Sequence, residues 1–283
     1  MSAPTEALEL REVRGPAALG GGAKRFFELL WLMAVTEFKR AYFGTVLGYV
    51  WSLLRPLMLF AVLYVVFTKV FRFGGEVPHY PVFLLMNLML FNFFLEATDR
   101  SVDSVLKQET IVRKMQFPRM VIPLSVVLTS TFNLSLNLIV VFGFVVASGV
   151  EPRFTWLLFP LIVVGFVALA AAVSMILSAL FPRYRDVKQI WAVAGTLFFY
   201  GSPVLYPASF VFDAGYQFQL LLNPIAPLLQ QANIWVINPD ALSVVDAAGS
   251  IWGWLGPGIV FAALVAFGFW IFNHEAPLVA EEL

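Results

Sequence analysis

Lys107-Gln108-Glu109-Thr110-Ile111-Val112-Arg113-Lys114-Met115-Gln116-Phe117-Pro118-Arg119-Met120-Val121 is a charged, helix-compatible stretch that stops at Phe117-Pro118, with long apolar runs on both sides. Sinking its cations into hydrocarbon would cost about 2.5–3.5 kcal/mol each. A charged island between two membrane-length segments therefore lies at a membrane face. The remainder of the chain fits that reading: it is 60% hydrophobic and 13% charged, with a mean hydropathy of +0.83, whereas soluble domains carry about 25% charged residues. The net charge of zero argues for neither nucleic acid nor an acidic partner. The absence of cysteine excludes disulfides and thiolate chemistry. The sequence is that of an integral membrane protein.

Working outward towards the N-terminus, residues 82–105 form a span that is apolar to about Leu95 and then carries Glu96, Asp99 and Asp103 on one helical face. Arg100 and Lys107 follow Glu96 and Asp103 by four residues, the favoured acid-first order for helical pairs. The preceding span, 46–70, is broken at Arg55-Pro56, and the apolar stretch after the proline reaches only roughly 22 Å at helical rise. Its first half must therefore also enter the membrane or its boundary. Arg55 either snorkels to the headgroups or faces an internal cavity and meets an anion. Residues 24–42 place Arg25, Glu28, Thr36, Lys39 and Arg40 at spacings near three and four among Phe26, Phe27, Leu30, Met33 and Val35. That is the pattern of an amphipathic helix lying in the interface, the alternative being a helix packed on a partner. Residues 1–23, mixed in charge and then rich in glycine, read as a flexible tail without a secretory signal.

Towards the C-terminus, the span 120–148 carries Ser125, Thr129, Ser130, Thr131, Asn133, Ser135 and Asn137, which suits a bundle interior or a polar path. Span 154–181 holds the small residues Ala168, Ala170, Ala171, Ala172, Ser174 and Ser178, which let neighbouring helices approach closely. A second charged island, 182–188, precedes the span 189–206, which is interrupted at Gly201-Ser202-Pro203. Residues 207–253, rich in aromatics and proline, read as half-helices or interfacial hairpins. The last span is 254–272. Six spans put both termini on one side. Fifteen of the eighteen Lys and Arg residues fall on that side; only Lys69, Arg72 and Arg153 fall on the other. The positive-inside rule then sets the termini and both islands in the cytoplasm.

No glycine is followed by lysine, so a Walker-A nucleotide site is excluded. A GxSxG elbow is missing, and His274-Glu275 lacks the second histidine of a zinc protease helix. Two distant histidines and no cysteine exclude a structural zinc site. Gradient-driven transporters place ionisable groups inside their spans or show two related halves; here the spans hold almost no acid beyond Glu96 and no internal repeat. The driving energy is thus expected from a partner acting on the cytoplasmic islands. Glu96, Asp99 and Asp103 admit a rival reading as a Mg²⁺ site for an enzyme acting on lipid-linked sugars, against a solvated face neutralised by Arg100 and Lys107.

The run 87–94, then Val112-Arg113-Lys114-Met115-Gln116-Phe117-Pro118-Arg119 through Ile122-Pro123-Leu124, closely resembles the permease subunits of ABC-2 type polysaccharide exporters. So do Leu47-Gly48-Tyr49-Val50-Trp51 through Pro56-Leu57, Tyr184-Arg185-Asp186-Val187, Ser202-Pro203-Val204-Leu205-Tyr206-Pro207 and Leu222-Asn223-Pro224, in the same order from about residue 26 to 272. The resemblance implies an all-α protein of six transmembrane helices in a bacterial cytoplasmic membrane, with an interfacial helix, a cytoplasmic coupling helix and short outer-face gate helices. It implies a homodimer resting on two copies of an ATP-binding subunit, with ATP and Mg on that partner and no cofactor in this chain. It makes the chain a transport subunit rather than an enzyme, moving O-antigen, teichoic acid, capsule or galactan on a lipid diphosphate, or in a related reading a drug or lipid. Glu109, Thr110, Arg113, Lys114, Gln116, Phe117 and Arg119 would contact the ATPase, with Tyr184, Arg185 and Asp186 as the second contact. Tyr49, Trp51, Arg55, Phe198, Phe199, Tyr200 and Tyr206 would border the substrate path, where rings could stack on sugars. Arginine at position 55 departs from the neutral residue expected there, and could hold the pyrophosphate of a lipid-linked cargo.

Overall fold

The computed structural model describes residues 22–42, 48–71, 77–109, 118–215, 220, 222–243, 246 and 255–282. Helix α1 is Gly22–Tyr42, α2 is Gly48–Val65, prolonged by a π-helical turn Val66–Val70, and α3 is Tyr80–Val102. A single turn, α4 (Ser104–Lys107), leads to the charged island, and α5 is Val121–Ala147. A 3₁₀ turn Phe154–Leu158 opens α6 (Phe159–Leu180). Then come α7 (Val187–Gly201), α8 (Ala208–Asp213), α9 (Ala226–Val236) and α10 (Leu255–Glu282). Strands are absent among the described residues. Among the described residues, five helical stretches are long and apolar enough to cross a membrane: Val50–Val70, Tyr80–Val102, Val121–Ala147, Phe154–Leu180 and Leu255–Glu275. The coupling residues Thr110, Arg113, Lys114, Gln116 and Phe117, and most of the tail, lie outside the described residues.

Local chemistry explains the boundaries. Pro81, Pro160 and Pro227 stand in the first turns of α3, α6 and α9, where a missing N–H costs nothing and φ is already helical. Helix α5 ends on Gly149 at φ +78°. The Val150 N–H reaches the Val145 carbonyl at 3.4 Å and the Gly149 N–H that of Val146 at 3.1 Å, the paired bonds of a Schellman cap.

The first half of helix α3 is apolar on nearly every face and accordingly is buried in the bundle; residues 82–91 are all buried, with slight exposure at Phe83. It packs against α2, α5, α6 and α7. Helix α10 lies along α6, and α1 lies across α5. There Ala34 is fully buried, its carbonyl accepting from the Thr129 hydroxyl at 3.1 Å, while Trp31 and Phe38 pack edge-on against Phe132. The outward residues Phe27, Trp31 and Leu32 stay exposed. The helix therefore has one face on its own bundle and one on the surroundings, as an interfacial helix requires.

The expected span 189–206 is helical only to Gly201 and continues as non-helical turns and bends through Tyr206. Pro203 supplies no N–H and disfavours helical backbone in Ser202, which is extended at ψ 152°. This region runs antiparallel to α3: Lys188 meets Asp103, Phe199 meets Phe91, and Leu205 meets Tyr80. Unwound backbone within a membrane protein is tolerated where its polar groups find partners inside the protein. Here four carbonyls each accept from a side chain: Tyr200 from the Tyr206 hydroxyl (2.7 Å), Gly201 from Asn223 Nδ2 (3.1 Å), Pro203 from Asn87 Nδ2 (3.1 Å) and Leu205 from the Tyr80 hydroxyl (2.8 Å). Asn87 also accepts from Asn233 Nδ2 at 3.0 Å, tying α9 to the same point on α3. Replacing Asn87 by Leu strips partners from the Pro203 carbonyl and from Asn233. Buried groups left unpaired cost about 1–3 kcal/mol, so the purified variant should melt roughly 3–10 °C lower, by the size scaling of such transitions. An unchanged melting temperature would show that the two bonds contribute nothing.

Candidate functional site

Four helices leave a groove of about 900 Å³ between them. Each wall follows helical spacing. Trp51, Ser52, Arg55, Pro56 and Leu59 come from α2; Asn92, Glu96, Asp99 and Arg100 from α3; Ser130, Asn133 and Asn137 from α5; and Trp191, Gly195, Thr196, Phe199 and Tyr200 from α7. Tyr42, the last residue of α1, closes one end. Burial, followed by the charge of Glu96, raises the Tyr42 phenol above its ordinary value, so it enters the groove as a neutral hydroxyl. Two apolar spans thus contribute aromatic rings and two contribute amides and charges.

Glu96 is paired inside this groove: its Oε1 accepts from Arg100 Nη1 at 3.0 Å and from Asn133 Nδ2 at 3.2 Å. Arg55 is exposed and makes no ion pair among the described residues. Ser130 Oγ, Asn137 Oδ1 and Trp191 Nε1 are buried without a hydrogen-bond partner among the described residues. Buried polar atoms are nearly always paired, so orphans lining an open groove mark a surface built for water or a polar passenger.

The three acids of α3 do not converge. Among the described residues no three carboxylates or histidines are grouped to hold a metal ion. Asp103 is also less solvated than expected, its side chain being 12% exposed. It bridges Lys107, at the head of the first island, at 2.8 Å and Lys188, at the foot of α7, at 2.8 Å. Burial alone would raise its pKa, but the hydrogen bonds and charges of the two lysines outweigh it, so the carboxyl lies below its ordinary range. A depressed carboxyl contributes stability above its unfolded pKa and loses it as pH falls through the folded value, so this tie loosens only in acid.

Of the path residues expected from the sequence, Trp51, Arg55, Phe199 and Tyr200 are brought together in the groove. Phe198 packs against Trp191 at 6.3 Å and Tyr206 bonds the Tyr200 carbonyl; neither is among the lining residues. The side chain of Tyr49 lies outside the described residues. Glu109 and Arg119 are partly buried at the two edges of the first island. Tyr184, Arg185 and Asp186 form an exposed turn, with Arg183 over the Tyr184 ring at 5.5 Å and Arg185 over the Phe181 ring at 5.4 Å. Sequence reasoning treated Glu96, Asp99 and Arg100 as a water-facing stripe and missed Asn92. The polar run on α5 was the available signal.

The sequence profile of ABC-2 type transporters matches residues 28–233. An O-antigen export system permease protein RfbA of Klebsiella pneumoniae is 29% identical over 233 residues, covering 80% of this chain and 88% of the relative. A second such permease protein of that organism is 31% identical, covering 72% of this chain and 78% of its own. The O-antigen export system permease protein RfbA of Myxococcus xanthus is 32% identical, covering 71% and 77%. The profile match begins in α1 and ends at Asn233 in α9, so it encloses the groove, both charged islands and the unwound end of α7. The chain belongs to the ABC-2 type transporter family, as a multi-pass membrane permease homologous to O-antigen export permeases.

Proposed function

We propose that this permease is the membrane subunit of an ATP-driven exporter, and that it moves a lipid-diphosphate-linked polysaccharide across the bacterial cytoplasmic membrane. The groove carries this reading: aromatic rings at Trp51, Phe199 and Tyr200 stand beside an unpaired guanidinium at Arg55 and orphaned amides and hydroxyls. Sugar rings stack on aromatic faces and bond to amides, while a diphosphate is matched by arginine. The relatives' printed function, O-antigen export, is of the same kind.

Six crossings complete the architecture, the fifth being α7 together with the unwound stretch 202–206. The charge asymmetry sets both termini and the islands 107–119 and 182–188 in the cytoplasm, and α8 and α9 at the outer face as gate elements. Two copies of the permease stand on two copies of an ATP-binding subunit, which supplies the ATP and Mg chemistry. Glu109, Thr110, Arg113, Lys114, Gln116, Phe117 and Arg119, with Tyr184, Arg185 and Asp186, form its docking surface. One face of α2, with Met58, Leu59, Val62 and Val65, is exposed within one chain, which supports a second copy or the cargo lying against it.

Proteoliposomes holding the permease, its ATPase and a lipid-linked oligosaccharide test this directly. Glycan should reach the opposite leaflet only with both proteins and ATP. ATP turnover by the permease alone would overturn the division of labour, and coupled turnover that moves no glycan would overturn the cargo.

A further inference from the structure

A second, smaller pocket of about 240 Å³ lies at the end of the bundle away from the charged islands, between the start of α3, the unwound stretch after Gly201, α8 and α9. Gln230 lines it, is 5% exposed, and among the described residues neither its Nε2 nor its Oε1 has a hydrogen-bond partner. Asn233, one turn further along α9, lines it too and is 6% exposed. Its Nδ2 is engaged by Asn87 and Leu229, but its Oδ1 is unpaired. Three orphaned polar atoms thus cluster at one pocket, and each carries a desolvation cost that native proteins rarely leave uncompensated.

The lining narrows the chemistry of what compensates them. No lysine or arginine contributes, which disfavours phosphate or sulfate, and the one carboxylate, Asp240, is exposed, which disfavours a metal ion. A free carboxamide offers donors and an acceptor side by side, the complement of neighbouring hydroxyls. Phe83, Phe210, Pro203 and Pro207 supply an apolar wall. The volume equals the liquid share of roughly eight waters, too much for one or two bridging waters and enough for one ring rather than a chain. We propose that this pocket is a binding site for a single neutral pyranose, its hydroxyls on Gln230 and Asn233 and its C–H face on the apolar wall. The site is separate from the groove, and its occupancy by a free sugar does not depend on what the assembly exports.

Saturation-transfer NMR on the purified full-length permease, with methyl mannoside, methyl galactoside and methyl glucoside as probes, tests it. At least one glycoside should show transfer, strongest at ring C–H protons. Gln230→Leu should weaken binding roughly five- to tenfold, the worth of about one neutral hydrogen bond, without lowering the melting temperature. Ser209→Trp, at a half-buried lining position, should block the pocket without touching the carboxamides. Gly143→Ala, where an added Cβ meets nothing within 4 Å, should leave the signal intact. No transfer to any of the three probes, or transfer that survives both pocket variants, would overturn the assignment, while the export reading would stand unaffected.

Discussion

An Arg55→Glu permease is expected to assemble with its ATPase and to hydrolyse ATP, yet to export little or no glycan. Arg55 stands beside Pro56 inside α2, which runs unbroken from Gly48 to Val65 where the sequence suggested a break, exposed on the groove wall and without an ion-pair partner among the described residues. A guanidinium holds a diphosphate through charge-assisted hydrogen bonds worth about 1.5–3 kcal/mol. Losing one therefore weakens binding roughly ten- to hundredfold, and reversing the charge adds repulsion. Arg55→Lys should retain part of the activity, because the charge remains while the bidentate fork is lost. The assay is glycan transfer in proteoliposomes alongside ATP turnover and size-exclusion chromatography. Export at the wild-type rate would reduce Arg55 to a headgroup anchor.

Gly268→Leu should yield almost no folded protein, and even Gly268→Ala should melt roughly 5–10 °C lower, the shift that a few kcal/mol produces in a chain of this size. A Cβ at position 268 would stand 2.5 Å from the Ala172 carbonyl oxygen and 3.0 Å from both its carbonyl carbon and Cα. Those atoms are backbone, so no side chain can swing aside and α10 must move off α6 along their contact. Overpacking of that kind costs about 1–3 kcal/mol, occasionally more. Small residues at such crossings are what hold membrane helices together, since lipid supplies no hydrophobic drive for association. Gly143→Ala in α5 is the control, because a Cβ there meets nothing within 4 Å. Thermal unfolding of the three variants in one detergent decides the matter; equal stability of Gly268→Ala and Gly143→Ala would show that the two helices can part freely.

The helices were legible because hydrocarbon imposes a simple rule on sequence. Long apolar runs end where charges begin, and Pro81, Pro160 and Gly149 punctuate them. The break at Gly201-Ser202-Pro203 was legible as a break, but not the unwound course through Tyr206, because the four side chains that satisfy its carbonyls come from Tyr80, Asn87, Tyr206 and Asn223. Periodicity carries no information about partners so far apart. The same limit hid the second lysine on Asp103, 85 residues away, and the Asn233 bond to Asn87, 146 residues away. Four of the groove's aromatic and cationic residues followed from the expectation that the first and fifth spans border the path. Its polar half arises only when α3 and α5 turn their short amides and charges towards one space, and a stripe of such residues reads equally well as a water-facing helix. Ala172 was visible as a small residue; Gly268, its counterpart, looked like one more member of an apolar run.

Asp103 gives α3 the role of a connecting rod. One carboxylate holds a lysine from the head of the first island and another from the foot of α7, so the two regions cannot drift apart without dragging or releasing the same residue. Sixteen residues back along α3, about 24 Å at helical rise, Asn87 grips the unwound chain and α9. The helix between these two grips packs against α2, α5, α6 and α7 and opens to the groove at Asn92, Glu96 and Asp99. A displacement at one grip therefore has a single continuous helix to carry it to the other.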